Sequence, residues 1–177
     1  MNNRQLIQLL LLVITLGFAL SPFLFPAPHT PANVTEFNYS SELGEYIGGG
    51  NTGQYSPATA KFSLSGNLSA LTVLIKYSDG YWQLKFNAPK GEKLQLGRVE
   101  RIEPSSYQVD KLAALQVMNT GVECNTYFGN FTINQLVADN NGVITGFDAT
   151  FMQRCESNTA PPITGSIKYN APLTTHK

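Results

Sequence analysis

Apolar and polar side chains alternate along short stretches of this chain, and each stretch is bounded by Gly, Pro, Asn or Asp. Residues 59–65 put Ala60, Phe62 and Leu64 on one side and Thr59, Lys61, Ser63 and Ser65 on the other, the period of a half-buried strand. Residues 82–86 repeat the pattern with Trp82, Leu84 and Phe86 on one face. The run 71–77 precedes them, and Ser78-Asp79-Gly80 joins the two. Asp-Gly favours the positive backbone angles of a tight turn, so a hairpin is predicted here. A second hairpin pairs 130–137 with 143–151 across Asp139-Asn140-Asn141-Gly142. Its second arm turns Phe147, Ala149 and Phe151 inward and leaves Asp148 and Thr150 outside. Further strands are expected at 35–40, 97–102, 115–118 and 163–169. The one weak helix candidate, 109–115, reads equally well as a loop leading into a strand. Roughly eight or nine short strands describe an all-β protein, an antiparallel two-sheet β-sandwich of jelly-roll-like form. Trp82, Leu84, Phe86, Phe131, Ile133, Phe147 and Phe151 are its expected core.

The pattern changes at the N-terminus. Arg4 is followed by an apolar run from Leu6 to Phe25, the layout of a secretory signal. Thr30-Pro31-Ala32 is the least unfavourable cleavage site, although it lies far from the apolar run. The run is also long enough to cross a bilayer as an uncleaved signal anchor, with Arg4 left in the cytoplasm. Both readings export the rest of the chain, and neither involves a lipid-modified cysteine. Pro26, Pro28 and Pro31 make a stiff spacer. The expected organisation is a signal or anchor at 1–25, a spacer at 26–35, the folded domain at 36–173 and a tail at 174–177.

Composition narrows the function. The chain has 177 residues, 42% of them hydrophobic, which suffices for one domain with a proper core. Twelve basic and twelve acidic side chains cancel, and neither sign forms a run. No nucleic-acid partner is expected, and membrane contact is expected only through the N-terminal apolar segment.

Cys124 and Cys155, the only two cysteines, flank the second predicted hairpin. Pairing its arms brings them side by side, so a disulfide is predicted, and an exported compartment permits it. A cysteine nucleophile would need a base, and the only histidines are His29 in the spacer and His176 near the C-terminus. A zinc site would need further soft or imidazole ligands. No metal or cofactor is expected.

Four segments carry a resemblance: 37–50 (FNYSSELGEYIGGG), 82–89 (WQLKFNAP), 124–131 (CNTYFGNF) and 147–156 (FDATFMQRCE). Together they resemble a poorly characterised β domain of secreted or surface bacterial proteins, over about residues 37–170. The resemblance implies an exported, disulfide-closed β domain, often an accessory unit of larger extracellular chains, with no known activity. Where that pattern reads Pro-Gly-Asp, this chain has Leu43-Gly44-Glu45.

The candidate chemistry is sparse. Gly48 to Gly53 suggests a phosphate loop, but no helix or suitably spaced lysine follows, so a flexible loop or bulge is expected. Asp139-Asn140-Asn141-Gly142 has too few carboxylates for calcium and reads as a turn. Glu42 and Glu45 read as solvated loop acids. Tyr77, Tyr81, Tyr107, Tyr127 and Phe128 offer apolar ring faces with polar tips, suited to sugars. These readings together predict a non-enzymatic exported domain with an unknown extracellular ligand or a structural role. One alternative is a carbohydrate-binding module using Tyr81, Tyr127 and Phe128. Another is a hydrolase using only carboxylates, drawn from Glu42, Glu45, Glu123 and Glu156.

Overall fold

The computed structural model describes residues 33–102 and 112–171. The predicted signal or anchor, most of the spacer, the tail, Tyr107 and residues 109–111 of the helix candidate lie outside the described residues. The strands are β1 Val34–Ser41, β2 Thr52–Tyr55, β3 Lys61–Asn67, β4 Ala70–Tyr77, β5 Gly80–Asn87, β6 Val99–Ile102, β7 Ala114–Asn119, β8 Tyr127–Ala138, β9 Ile144–Cys155 and β10 Pro162–Ala171. They form two antiparallel sheets, β2-β1-β10-β9-β8-β6 and β3-β4-β5-β7. The described residues contain no helix, so none is long and apolar enough to cross a membrane. The sandwich is therefore the expected fold with one more strand. β2 had read as part of a flexible Gly-rich loop, and β1 starts at Val34, just inside the segment read as spacer.

All seven expected core residues are buried, from 0% exposure for Trp82 to 4% for Phe151. Rings knit the two inner faces together. Trp82 on β5 lies 4.5 Å from Tyr39 and 5.4 Å from Phe37 on β1, and Phe86 meets Phe131 at 5.3 Å and Phe147 at 5.1 Å, edge to face. Edge-to-face pairing of this kind adds to plain area burial.

Both hairpins form, with adjustments. In β4–β5, Tyr77 pairs with Gly80 and the turn is Ser78-Asp79. Gly80 does not have the positive φ expected of it. It is needed for space, because a Cβ there would lie 2.2 Å from Thr120 Oγ1 and 2.9 Å from Tyr77 Oη. In β8–β9 a bulge between Ile133 and Gln135 inserts Asn134. The extra residue keeps Ile133 opposite Ala149 and Leu136 opposite Phe147, so the core face of β8 survives an otherwise disruptive shift of phase.

β7 is the open edge of the smaller sheet, and its main-chain groups need partners there. Gln153, 1% exposed, projects from β9 and supplies them. Its Oε1 accepts from Val117 N at 2.8 Å, and its Nε2 donates to Val117 O at 3.2 Å and to Cys124 Sγ at 3.3 Å. One side-chain amide thus completes the edge as a neighbouring strand would. Beside it, Cys124 and Cys155 form the disulfide, with Cα atoms 5.1 Å apart, a bond suited to an oxidising compartment.

Replacing Gln153 with Leu leaves Val117 N–H without an acceptor and is expected to lower the unfolding free energy by about 1–3 kcal/mol. Urea denaturation followed by fluorescence of Trp82, the single tryptophan, measures this, and an unchanged midpoint contradicts the bridge. Reducing the disulfide frees a loop of 31 residues. That is expected to cost about 3–4 kcal/mol, and equal stability of the reduced and oxidised protein contradicts it.

Candidate functional site

A wide hollow opens at the end of the sandwich where β1 begins and β10 ends. It is a groove of about 920 Å³ between the two sheets. Phe62 and Tyr77 come from the inner face of the smaller sheet and Tyr169 from that of the larger, and all three are half-buried. They line the groove because inner-face side chains at an open end of a sandwich have no facing partner to cover them. Thr35, Thr59, Thr145 and Asn170 add hydroxyl and amide groups.

Local bonding stiffens the walls. Asn170, with φ of 48°, donates from its backbone N–H to Thr35 Oγ1 at 2.9 Å and from Nδ2 to Thr145 O at 3.0 Å. Tyr77 Oη donates to Asn119 Oδ1 at 3.0 Å, and its ring lies 5.1 Å from Tyr55. Residues 56–60 form a tight turn in which Thr59 N and Ala60 N both donate to Ser56 O at 2.9 Å. Burial, aided by the neighbouring Tyr55 and Tyr77 phenols, pushes the nearby Tyr39 phenol above its usual range.

Two cations stand at the rim. Lys61 and Lys76 are exposed on the outer face of the smaller sheet, contribute to the margin of the groove, and lie directly opposite each other across the β3–β4 ladder. Tyr81 continues their row on β5. Among the described residues neither lysine makes an ion pair, whereas Lys168 pairs with Glu36 at 2.8 Å and Arg98 with Glu92 and Glu100.

The three rings singled out from sequence do not share a surface. Tyr81 is on the outer face of the smaller sheet, in the row of Lys76. Tyr127 pairs with buried Cys155 on the inner face of the larger sheet and packs against the core. Phe128 points to the opposite side, toward a shallow hollow of about 390 Å³ shared with Arg101, Met152 and Arg154.

The Gly-rich loop requires a correction. Glu45 is not a solvated acid but is 4% exposed, and its own loop closes around it. Its Oε1 accepts from Ile47 N at 2.9 Å, and its Oε2 from Ser41 Oγ at 2.8 Å and Gly48 N at 2.5 Å. Gly48 is required by the close approach, since a Cβ there would sit 2.6 Å from Ser41 Cβ. The loop does bind an anion, the chain's own carboxylate. The loop also holds Leu43 and Tyr46 out in solvent, 92% and 65% exposed.

Glu45 and Glu156 line one cleft of about 390 Å³ beside the disulfide, so two of the four acids named from sequence do come together. Glu156, with φ of 66°, accepts from Thr126 Oγ1 and Asn125 N, each at 2.9 Å, and from Asn125 Nδ2 at 3.2 Å. The Thr126 hydroxyl, then the Asn125 N–H, hold its carboxyl below the ordinary value. Glu42 is exposed elsewhere on the loop, and Glu123 accepts from Gln116 Nε2. Asp139 Oδ1 is occupied by Asn141 N and Val143 N, which makes its segment a hairpin turn.

Sequence reading missed the groove because its residues come from five strands. One signal was available: a turn at Asn67-Leu68-Ser69-Ala70 sets the β3–β4 register and so places Lys61 opposite Lys76. No family model, no curated protein and no solved structure matches the chain.

A carboxylate with a depressed folded pKa contributes stability that is complete above its unfolded value and lost as pH falls through the folded one. Glu156→Gln is therefore expected to melt below the wild type at neutral pH, with the gap closing as pH drops below the ordinary value of 4.5. Melting curves across that range check this, and a gap that does not change with pH contradicts it.

Proposed function

We propose that the chain is an exported, non-enzymatic binding domain whose ligand is an extracellular carbohydrate seated in the groove between the sheet ends. The groove carries the reading. Half-buried Phe62, Tyr77 and Tyr169 give it an apolar floor, and Thr35, Thr59, Thr145 and Asn170 ring that floor with hydrogen-bonding groups. Sugars present the same combination, an apolar ring face edged by hydroxyls. The alternation of a positive start and an apolar run at 1–25, together with a disulfide, supports export.

The sugar reading moves from Tyr81, Tyr127 and Phe128 to these rings. A carboxylate hydrolase is less well supported. An acid catalyst needs a raised pKa, whereas Glu156 is held ionised and the oxygens of Glu45 are occupied by its own loop.

Amide chemical-shift mapping with a panel of neutral and acidic oligosaccharides tests the site. Shifts are expected to cluster on residues 59–62, 76–78, 144–145 and 169–170. Filling the groove with Thr145→Trp, an exposed position, should abolish them at unchanged melting temperature. Shifts centred on Tyr127 and Phe128, or none with any saccharide, contradict the proposal.

A further inference from the structure

Each sheet of the sandwich ends in two edge strands, and an edge offers a row of main-chain groups to any chain that comes alongside. Three of these edges are short or closed. β2 and β6 have four residues each, and on β7 Gln153 bonds Val117 while Asn119 N donates to Val122 O at 3.1 Å. β3 differs. It is seven residues long and carries no proline and no inward-pointing charge. Asn67 and Ala70 close the two-residue turn of the β3–β4 hairpin, so Lys61, Ser63 and Ser65 exchange hydrogen bonds with β4. Phe62 and Leu64 therefore turn their N–H and C=O groups off the edge. No described residue bonds to those groups, and both side chains are only half-buried.

We infer that the β3 edge takes β3 of a second copy, antiparallel, so that two four-stranded sheets join into one continuous sheet. The strand favours this occupant because it is complementary to itself. In the register that overlaps its whole length, Leu64 lies opposite Leu64 of the second copy across a two-fold axis, and the two exchange main-chain hydrogen bonds. Phe62 then faces Gly66, whose missing side chain leaves room for the ring. Ser63 faces Ser65, and Lys61 faces Asn67, so no like charges meet. The half-buried Phe62 and Leu64 gain the apolar cover that a lone copy lacks. The inference is independent of what the groove binds.

The test follows the mass of the exported protein by sedimentation as its concentration rises, paired with amide hydrogen exchange. A concentration-dependent dimer is expected, with exchange at the Phe62 and Leu64 N–H groups slowing as it forms. Ser63 and Ser65 are exposed on the outer face, so their side chains can be changed without touching the core. Ser63→Lys/Ser65→Lys is expected to weaken the dimer about tenfold, because lysines then meet at both Ser63–Ser65 contacts. Ser63→Glu/Ser65→Glu is expected to weaken it similarly. Mixing the two variants is expected to restore a dimer that holds one copy of each. A protein that stays monomeric at every concentration overturns the inference. So does a dimer that both variants leave unchanged, as assembly through the N-terminal apolar run or another surface would be. A dimer in which Phe62 and Leu64 exchange as fast as in the monomer overturns it too.

Discussion

The two sheets of this sandwich meet over a dry interior, yet one of them has its open edge there. The N–H and C=O of Val117 on β7 both need partners in a place water does not reach. Gln153, reaching across from β9, satisfies both with one amide and still offers a proton to Cys124 Sγ. An unpaired main-chain group in that position would cost more than a typical net hydrogen bond contributes. The disulfide sits against the same amide and ties the segment after β7 to the end of β9. This contact joins β7 of the smaller sheet to β9 of the larger.

A similar economy governs the charges. Glu45 supplies an anion for the turn of the Gly-rich loop, Glu156 ties the segment after Cys124 to the end of β9, and Asp139 closes the β8–β9 turn. Each carboxylate is consumed by backbone donors close to it. Against that background Lys61 and Lys76 stand out, since they lie opposite each other and make no ion pair among the described residues. Structure and electrostatics therefore separate the molecule into ends of different character. The end bearing the disulfide and Glu45 is internally satisfied, and the other is open.

Much of the fold was legible in sequence because strand alternation is a local signal. Trp82, Leu84 and Phe86 lie inward as their spacing required, and the cysteines meet because the hairpin between them forms. What escaped depended on distance. Gln153 looks like any polar residue between Phe151 and Cys155 until β7 is placed beside it. Glu45 reads as a loop acid unless Ser41, Ile47 and Gly48 are known to converge on it. Asp79-Gly80 signalled the hairpin correctly but for another reason, since Gly80 makes room for Thr120 and Tyr77 instead of taking a left-handed φ. The groove was hidden because an open sandwich end belongs to no single segment.

The groove is the centre of the functional account, and direct observation of a ligand there is its sharpest test. A crystal structure with an oligosaccharide is predicted to show the sugar rings over Tyr77 and Tyr169, within reach of Thr35, Thr145 and Asn170. An oligosaccharide ordered elsewhere on the sandwich, with the groove holding only solvent, would contradict it.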